Sequence, residues 1–210
     1  MVVMIAYEDR MRAGGSAALE EAERFFMKED AVHQAMRAIG KKLEELGIPY
    51  AIVGGMALTA HGYRRNTVDV DILVTREGNR LIHEKLDGLG YVPPFAGSKN
   101  LRDTANGVRI EFLISGEYPG DGKPKPVAFP EPSASAVNIE GLQYVNLPKL
   151  IELKLASGMT NPNRLKDLAD VQELIKEIKL PRTIANDLHE FVRGKFLELW
   201  DGLESERAEG

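Results

Sequence analysis

An α/β domain followed by a helical C-terminal part is what three features of this 210-residue sequence predict. Helix-like and strand-like segments take turns from residue 29 to residue 115. Two strand-like runs, "TVDVDILV" and "GVRIEFLIS", alternate apolar with polar residues, and nearly everything after residue 146 has helical periodicity.

After a Gly-Gly-Ser break at Gly14 to Ser16, "ALEEAERFF" suits a helix. From Glu29 onward Val32, Met36, Ile39, Leu43 and Leu46 recur at helical spacing, and Gly47 stands where a C-cap is wanted. "PYAIVGG" reads as a short buried strand, "GMALTAHG" as a helix ended by Gly62, and "TVDVDILV" as a half-buried strand. A helix from Arg76 to Leu89, closed by Gly90, leads to the strand Gly107 to Ser115. The stretch "GEYPGDGKPKPVAFPEP", Gly116 to Pro132, holds too much Pro and Gly for a helix or central strand and is a loop or boundary. "GLQYVNL" is a further strand candidate. Asn146 as N-cap and Pro148 in the first turn then open "NLPKLIELKLASG", followed by the helical "NRLKDLADVQELIKEIKL" and "TIANDLHEFVRGKFLELW". The tail "DGLESERAEG" is polar enough to fray. The expected organisation is a partly helical segment 1–28, an α/β core 29–146, a helical part 147–200 and a tail 201–210.

At 43% hydrophobic and 28% charged, the chain can build one substantial core. A formal charge of -5 argues against coating nucleic acid with bulk positive charge, which leaves only local contacts; Lys123 and Lys125 on the Pro-rich stretch are the candidates, although a simply solvated pair is the commoner reading. Without cysteine there are no disulfides, thiolate zinc sites or cysteine nucleophiles. The start "MVVMIAYEDR" falls short of a leader's apolar region, and no run approaches the roughly 18 apolar residues of a membrane span. The expectation is a soluble cytoplasmic protein without membrane contact.

Several motifs fail on inspection. "IHEKLD" and "HEFVR" lack the second histidine of a zincin helix, having Asp87 and Arg193 there, and "GDGKPK" has Pro124 where a phosphate loop needs Ser or Thr. Neither G-x-G-x-x-G opening a helix nor G-x-S-x-G occurs, which disfavours dinucleotide oxidoreductases and serine hydrolases.

The pair Asp69 and Asp71 is different. Residues i and i+2 of a strand share a face, so both carboxylates project together while Val68, Val70 and Ile72 turn to the core. At roughly 7 Å or less they repel unless a cation intervenes, and Mg2+ is commonly held by one or two carboxylates. A solvated strand face would carry the same residues. Gly54 and Gly55, where a strand passes into a helix, add a place for a phosphate to approach backbone amides closely. Glu111, flanked by Ile110 and Phe112, can join the aspartates if the two strands pair. His61 and Tyr63 could touch a base, although packing roles are commoner for both.

The stretch "GGMALTAHGYRRNTVDVDILV" resembles the signature of the DNA polymerase β-type nucleotidyltransferase superfamily: a Gly-Gly or Gly-Ser turn, a D-x-D strand, and a third carboxylate on a neighbouring strand. The R-x-T-x-D-x-D spacing of Arg65, Thr67, Asp69 and Asp71 is similar in particular to AbiEii-like toxins of type IV toxin-antitoxin systems. Downstream, Lys154 and the run Arg164, Lys166, Asp167 and Asp170 resemble the same family, so the likeness spans most of Tyr50 to Ile175. It departs at Met56, where many members have serine, and at Glu111, where aspartate is usual.

The resemblance implies a small mixed sheet with flanking helices and transfer of an NMP from an NTP to an acceptor hydroxyl. It further implies Mg2+, or Mn2+, held by Asp69, Asp71 and Glu111, with those residues and Lys154 catalytic. Gly54, Gly55, Arg65, Lys154 and Asp167 would bind the nucleotide, ATP among the candidates. The acceptor would be tRNA or a protein, and an antitoxin a possible partner. Two other readings compete: a non-catalytic descendant that binds a nucleotide or partner, and a D-x-D glycosyltransferase, disfavoured because only one convincing strand precedes the acidic motif.

Overall fold

Residues 6–26 and 30–209 are described by the computed structural model. The apolar start, residues 1–5, and Glu29, where the core was expected to open, lie outside them, as does the last residue of the tail. Two helices, α1 (Tyr7–Ala13) and α2 (Ser16–Phe26), precede α3 (Ala31–Glu45), β1 (Tyr50–Ile52), α4 (Gly54–Ala60) and β2 (Asp69–Val74). Next come α5 (Arg76–Leu86), β3 (Tyr91–Val92), β4 (Leu101–Asp103), β5 (Arg109–Ile114), α6 (Pro132–Ser135), β6 (Ala136–Ile139) and β7 (Leu142–Val145). Helices α7 (Leu147–Thr160), α8 (Leu165–Glu177) and α9 (Glu190–Glu209) complete the described chain.

The strands form one mixed seven-stranded sheet in the order β3-β4-β5-β2-β1-β7-β6. Its centre positions the site: β2 runs antiparallel to β1 and parallel to β5, which sets Asp69 opposite Arg109 and Asp71 opposite Glu111. The expected α/β core with a helical C-terminal part is what the chain forms.

Local chemistry explains the elements. Asp30 caps α3 by accepting from the amides of Val32 and His33, and Val32, Ala35, Met36, Ile39 and Leu43 bury one stripe of that helix. Gly47 follows the helix at φ +64, a conformation that favours glycine. Along β2, Val70 and Ile72 are fully buried while the aspartates between them keep some exposure, and Ile110, Phe112 and Ile114 do the same for β5. Asn146 accepts from the Lys149 amide with Pro148 in the first turn of α7. Leu150, Leu155, Val171 and Phe196 join the sheet residues in one continuous core, so the helical part packs on the same apolar interior.

Some boundaries differ from the expectation. Helix α5 stops at Leu86, because Gly88 and Gly90 take positive φ and the chain reverses into β3. Strands β3, β4 and β6 are additions. Strand β6 pairs with β7 through Glu140 and Gly141, both at positive φ, as a two-residue hairpin of the twisted-strand type requires. The last helical run begins as a 3-10 turn, Arg182–Asp187, before α9, which continues through the expected tail as far as Glu209. Among the described residues, no helix is long and apolar enough to cross a membrane.

Candidate functional site

The parallel register of β2 and β5 brings Asp69, Asp71 and Glu111 together, each offering a carboxylate oxygen within 4.8 Å of the others. Thr67 Oγ1 donates to Asp69 Oδ1 at 2.7 Å. Arg109 Nη2 lies 3.1 Å from Asp69 Oδ2 and 3.1 Å from Glu111 Oε1. Burial pushes the Asp71 carboxyl up to about 7; the negative charges of Asp69 and Glu111 add to the rise, while Lys154 and Arg164 oppose it. Three converging carboxylates and one guanidinium leave the cluster short of positive charge, and hard oxygen donors in such a group suit a divalent cation.

Gly54 and Gly55 serve this cluster sterically. A Cβ on Gly54, itself at φ +59, would fall 1.9 Å from Asp71 Oδ2, and one on Gly55 would fall 2.9 Å from Thr67 Cβ. Only a chain without side chains at both positions lets the start of α4 press this closely on β2.

Across the cleft stands a second ionic group, built on α7 and α8. Lys154 Nζ donates to Asp167 Oδ1 at 3.0 Å and to Asp170 Oδ2 at 2.6 Å. Ser157 Oγ and Arg164 Nε donate to Asp167 Oδ2 at 2.7 and 2.8 Å, and Arg65 Nη1 reaches Asp170 Oδ2 at 2.5 Å. Lys154, Asp167 and Asp170 are all buried. Burial alone would raise the Asp167 carboxyl, but Lys154, the Ser157 hydroxyl and Arg164 outweigh it and hold the group below its usual range. Gly158 permits the tight crossing of the helices, since a Cβ there would meet Leu168 Cγ at 2.6 Å.

A cleft of about 650 Å³ is lined by both groups, with Gly54, Gly55 and the acids from the one, Lys154 and Arg164 from the other, and the exposed Lys99 and Lys166 also facing it. All the expected site residues, Asp69, Asp71, Glu111, Lys154, Gly54, Gly55, Arg65 and Asp167, line it. Sequence reasoning missed Arg109 and Ser157. The signal for Arg109 was present, because it precedes Glu111 by two residues on one strand and so shares its face.

The other candidates have structural work. His61 Nε2 donates to the Val145 carbonyl at 2.8 Å, tying the end of α4 to β7, and Tyr63 packs against the core. Lys125 is corrected as a candidate for an RNA or phosphate contact: its Nζ bonds the Pro119 carbonyl at 2.5 Å and Thr160 Oγ1 at 3.2 Å and pairs with Asp121, pinning the Pro-rich loop to the end of α7. Lys123 stays on the exposed part of that loop.

No protein-family model matches the sequence, and no curated protein does. Solved structures do resemble it in shape. The solution structure of the antibiotic-resistance factor ANT(2'')-Ia is 15% identical with a TM-score of 0.48, over 80% of this chain and 92% of that one. The crystal structure of ANT(2'')-Ia with adenylyl-2''-tobramycin gives 14% and 0.47, over 73% and 90%. An antigenic nucleotidyltransferase-like protein from Paracoccidioides brasiliensis gives 16% and 0.43, over 68% and 74%.

Proposed function

We propose that this protein is a divalent-metal-dependent nucleotidyltransferase that moves an NMP from an NTP to an acceptor hydroxyl. The observation that carries the reading is the convergence of Asp69, Asp71 and Glu111 within 4.8 Å, facing the Lys154 network across one cleft. The residues fit Mg2+, with Mn2+ the alternative: three oxygen ligands gather where burial and the neighbouring acids push Asp71 up to about 7 in spite of Lys154 and Arg164. When bound, the metal neutralises charge on the reacting phosphate and its leaving group.

Transfer of this kind rests on positioning and charge more than on a reactive side chain. Asp69, Asp71 and Glu111 would hold the metal, and Glu111 would also take the acceptor's proton. The acceptor oxygen bonds to the α-phosphorus as the bond to pyrophosphate breaks. Lys154 carries positive charge toward the phosphates, with Asp167 and Asp170 fixing its position and Arg65 bracing Asp170. Gly54 and Gly55 leave their amides open to a phosphate oxygen. The α/β core, 29–146, supplies the metal side and the helical part, 147–200, the lysine.

The spacing of Arg65, Thr67, Asp69 and Asp71, together with Lys154 and the Arg164-to-Asp170 run, supports a finer reading: a toxin of a toxin-antitoxin pair, acting in the cytoplasm on tRNA or a protein hydroxyl. A second reading, a non-catalytic nucleotide- or partner-binding protein, is favoured by Arg109, which already bridges Asp69 and Glu111. Incubation with each α-32P-labelled NTP, Mg2+ and total RNA or lysate separates the two. Label transferred by the wild type and absent with Asp69→Asn/Asp71→Asn supports the enzyme, and equal label with both, or none with either, overturns it.

A further inference from the structure

Arg109 belongs to neither motif, yet it bridges two of the three acids of the cluster. It leaves β5 on the same face as Glu111 and stands in register with Asp69. One nitrogen, Nη2, touches both carboxylates at 3.1 Å. Thr67 holds the other oxygen of Asp69 at 2.7 Å, so both oxygens of that side chain already accept from a donor. A divalent cation held by Asp69 and Glu111 would sit against the same two carboxylates that the guanidinium bridges through Asp69 Oδ2 and Glu111 Oε1, and the two positive groups would repel at that range.

We propose that Arg109 is an internal counter-ion that a divalent cation displaces from Asp69 and Glu111. This rests on the metal-site reading above and deepens it, assigning the chain's own control over when the site takes its metal. Little besides these two acids holds the head group. It is 39% exposed, its Nε is buried without a hydrogen-bond partner, and Asp69 and Glu111 are its ion partners among the described residues. Until a metal arrives, the guanidinium limits repulsion between acids that the strand register forces together. Once a metal arrives, the same guanidinium is a competitor. Arg109 is therefore a positioning residue whose removal has opposite effects in the two states, destabilising the metal-free protein and favouring the metal-bound one.

Titration with Mn2+, its free concentration read by electron paramagnetic resonance, tests this on the full chain as wild type, Arg109→Gln, Arg109→Lys and Asp69→Asn. Arg109→Gln is expected to bind Mn2+ roughly 3- to 10-fold more tightly, the range set by a solvent-accessible charged contact. Its melting temperature should fall without metal and recover as Mn2+ is added. Arg109→Lys, keeping the charge but losing the planar head, should tighten binding about twofold, and it carries the comparison alone if Arg109→Gln does not fold. Tight Mn2+ binding by Arg109→Gln where the wild type shows none also supports the exchange. Unchanged or weaker binding by both Arg109 variants overturns the counter-ion role; if Asp69→Asn loses binding in that same series, the metal-site reading stands without it. Absence of Mn2+ binding in the wild type and both Arg109 variants overturns the two readings together.

Discussion

Two ionic groups face each other across the cleft, and they are built on opposite principles. On the sheet, three acids converge and one guanidinium bridges two of them, Asp69 and Glu111; on the other side, Asp167 and Asp170 of α8 share Lys154, Arg164 and Arg65. The sheet group holds a surplus of negative charge that raises Asp71, while the helical group holds enough positive charge to lower Asp167 in spite of its burial. Structural ion networks are normally satisfied like the second. A cluster left short of counter-charge is the sort of local conflict that binding sites tolerate, because the missing charge comes with the ligand. On the proposed reading, the sheet would take the metal and the helices would keep a lysine in place.

The largest test of that division is activity. Asp69→Asn or Asp71→Asn should lower nucleotidyl transfer about a thousandfold, the order seen when a group that stabilises transition-state charge is lost, in single-turnover assays with labelled NTP. Neither change should cost the fold, since each removes repulsion. Asp69→Asn or Asp71→Asn protein that transferred label at wild-type rate would end the contrast between the two groups.

Lys154→Met reverses the balance of costs. It leaves Asp167 and Asp170 buried with Arg164 and Arg65 alone, and breaking one partner out of a buried ion group costs about 3–5 kcal/mol. A chain of this size then melts roughly 6–20 °C lower. Scanning calorimetry of Lys154→Met beside Asp69→Asn should show that large loss in the first and none in the second. A Lys154→Met protein as stable as the wild type would mean that the helical group does not hold the structure together. Gly54→Ala is expected to cost less, about 1–3 kcal/mol, from the strain of a side chain at φ +59 and the clash with Asp71; chemical denaturation measures it.

What the sequence reveals differs between the two groups as well. The sheet acids are legible because strand alternation puts Asp69 and Asp71 on one face and Glu111 on the outward side of its own strand. Their meeting depends on the β2–β5 register, which is a tertiary fact, and with it Arg109 enters the cluster. On the helices, Lys154 between Leu153 and Leu155 reads equally well as a surface lysine, and only the resemblance singled it out; its partners lie 13 and 16 residues away on another helix. Strands β3 and β4, with two and three residues, are too short to carry a period, and β6 is too exposed to alternate clearly. Helices α3 and α8 show through because each buries a stripe, and α7 because Asn146 and Pro148 mark its start ahead of a mostly apolar run that is buried all round from Leu150 to Gly158.

The smallest effect sets the two groups against each other by pH. Asp71 titrates at about 7 in the folded chain against 3.8 for the free group, so between those values the folded state keeps a proton that the unfolded state has lost. Its contribution to stability therefore falls as pH rises through that window and is at its lowest above 7. Asp167 works the other way: its folded value lies below 3.8, so what it contributes is present above that pH and is lost only on further acidification. Asp71→Asn should accordingly melt together with the wild type near pH 4 and a few degrees above it at pH 8, roughly 2–4 °C per kcal/mol relieved. Saturating Mg2+ should close that gap by stabilising the wild type alone, because a bound cation supplies the charge that the substitution makes unnecessary. A gap that is the same at pH 4 and pH 8, or that Mg2+ leaves untouched, would show that Asp71 carries no unmet charge and that the two walls of the cleft are alike after all.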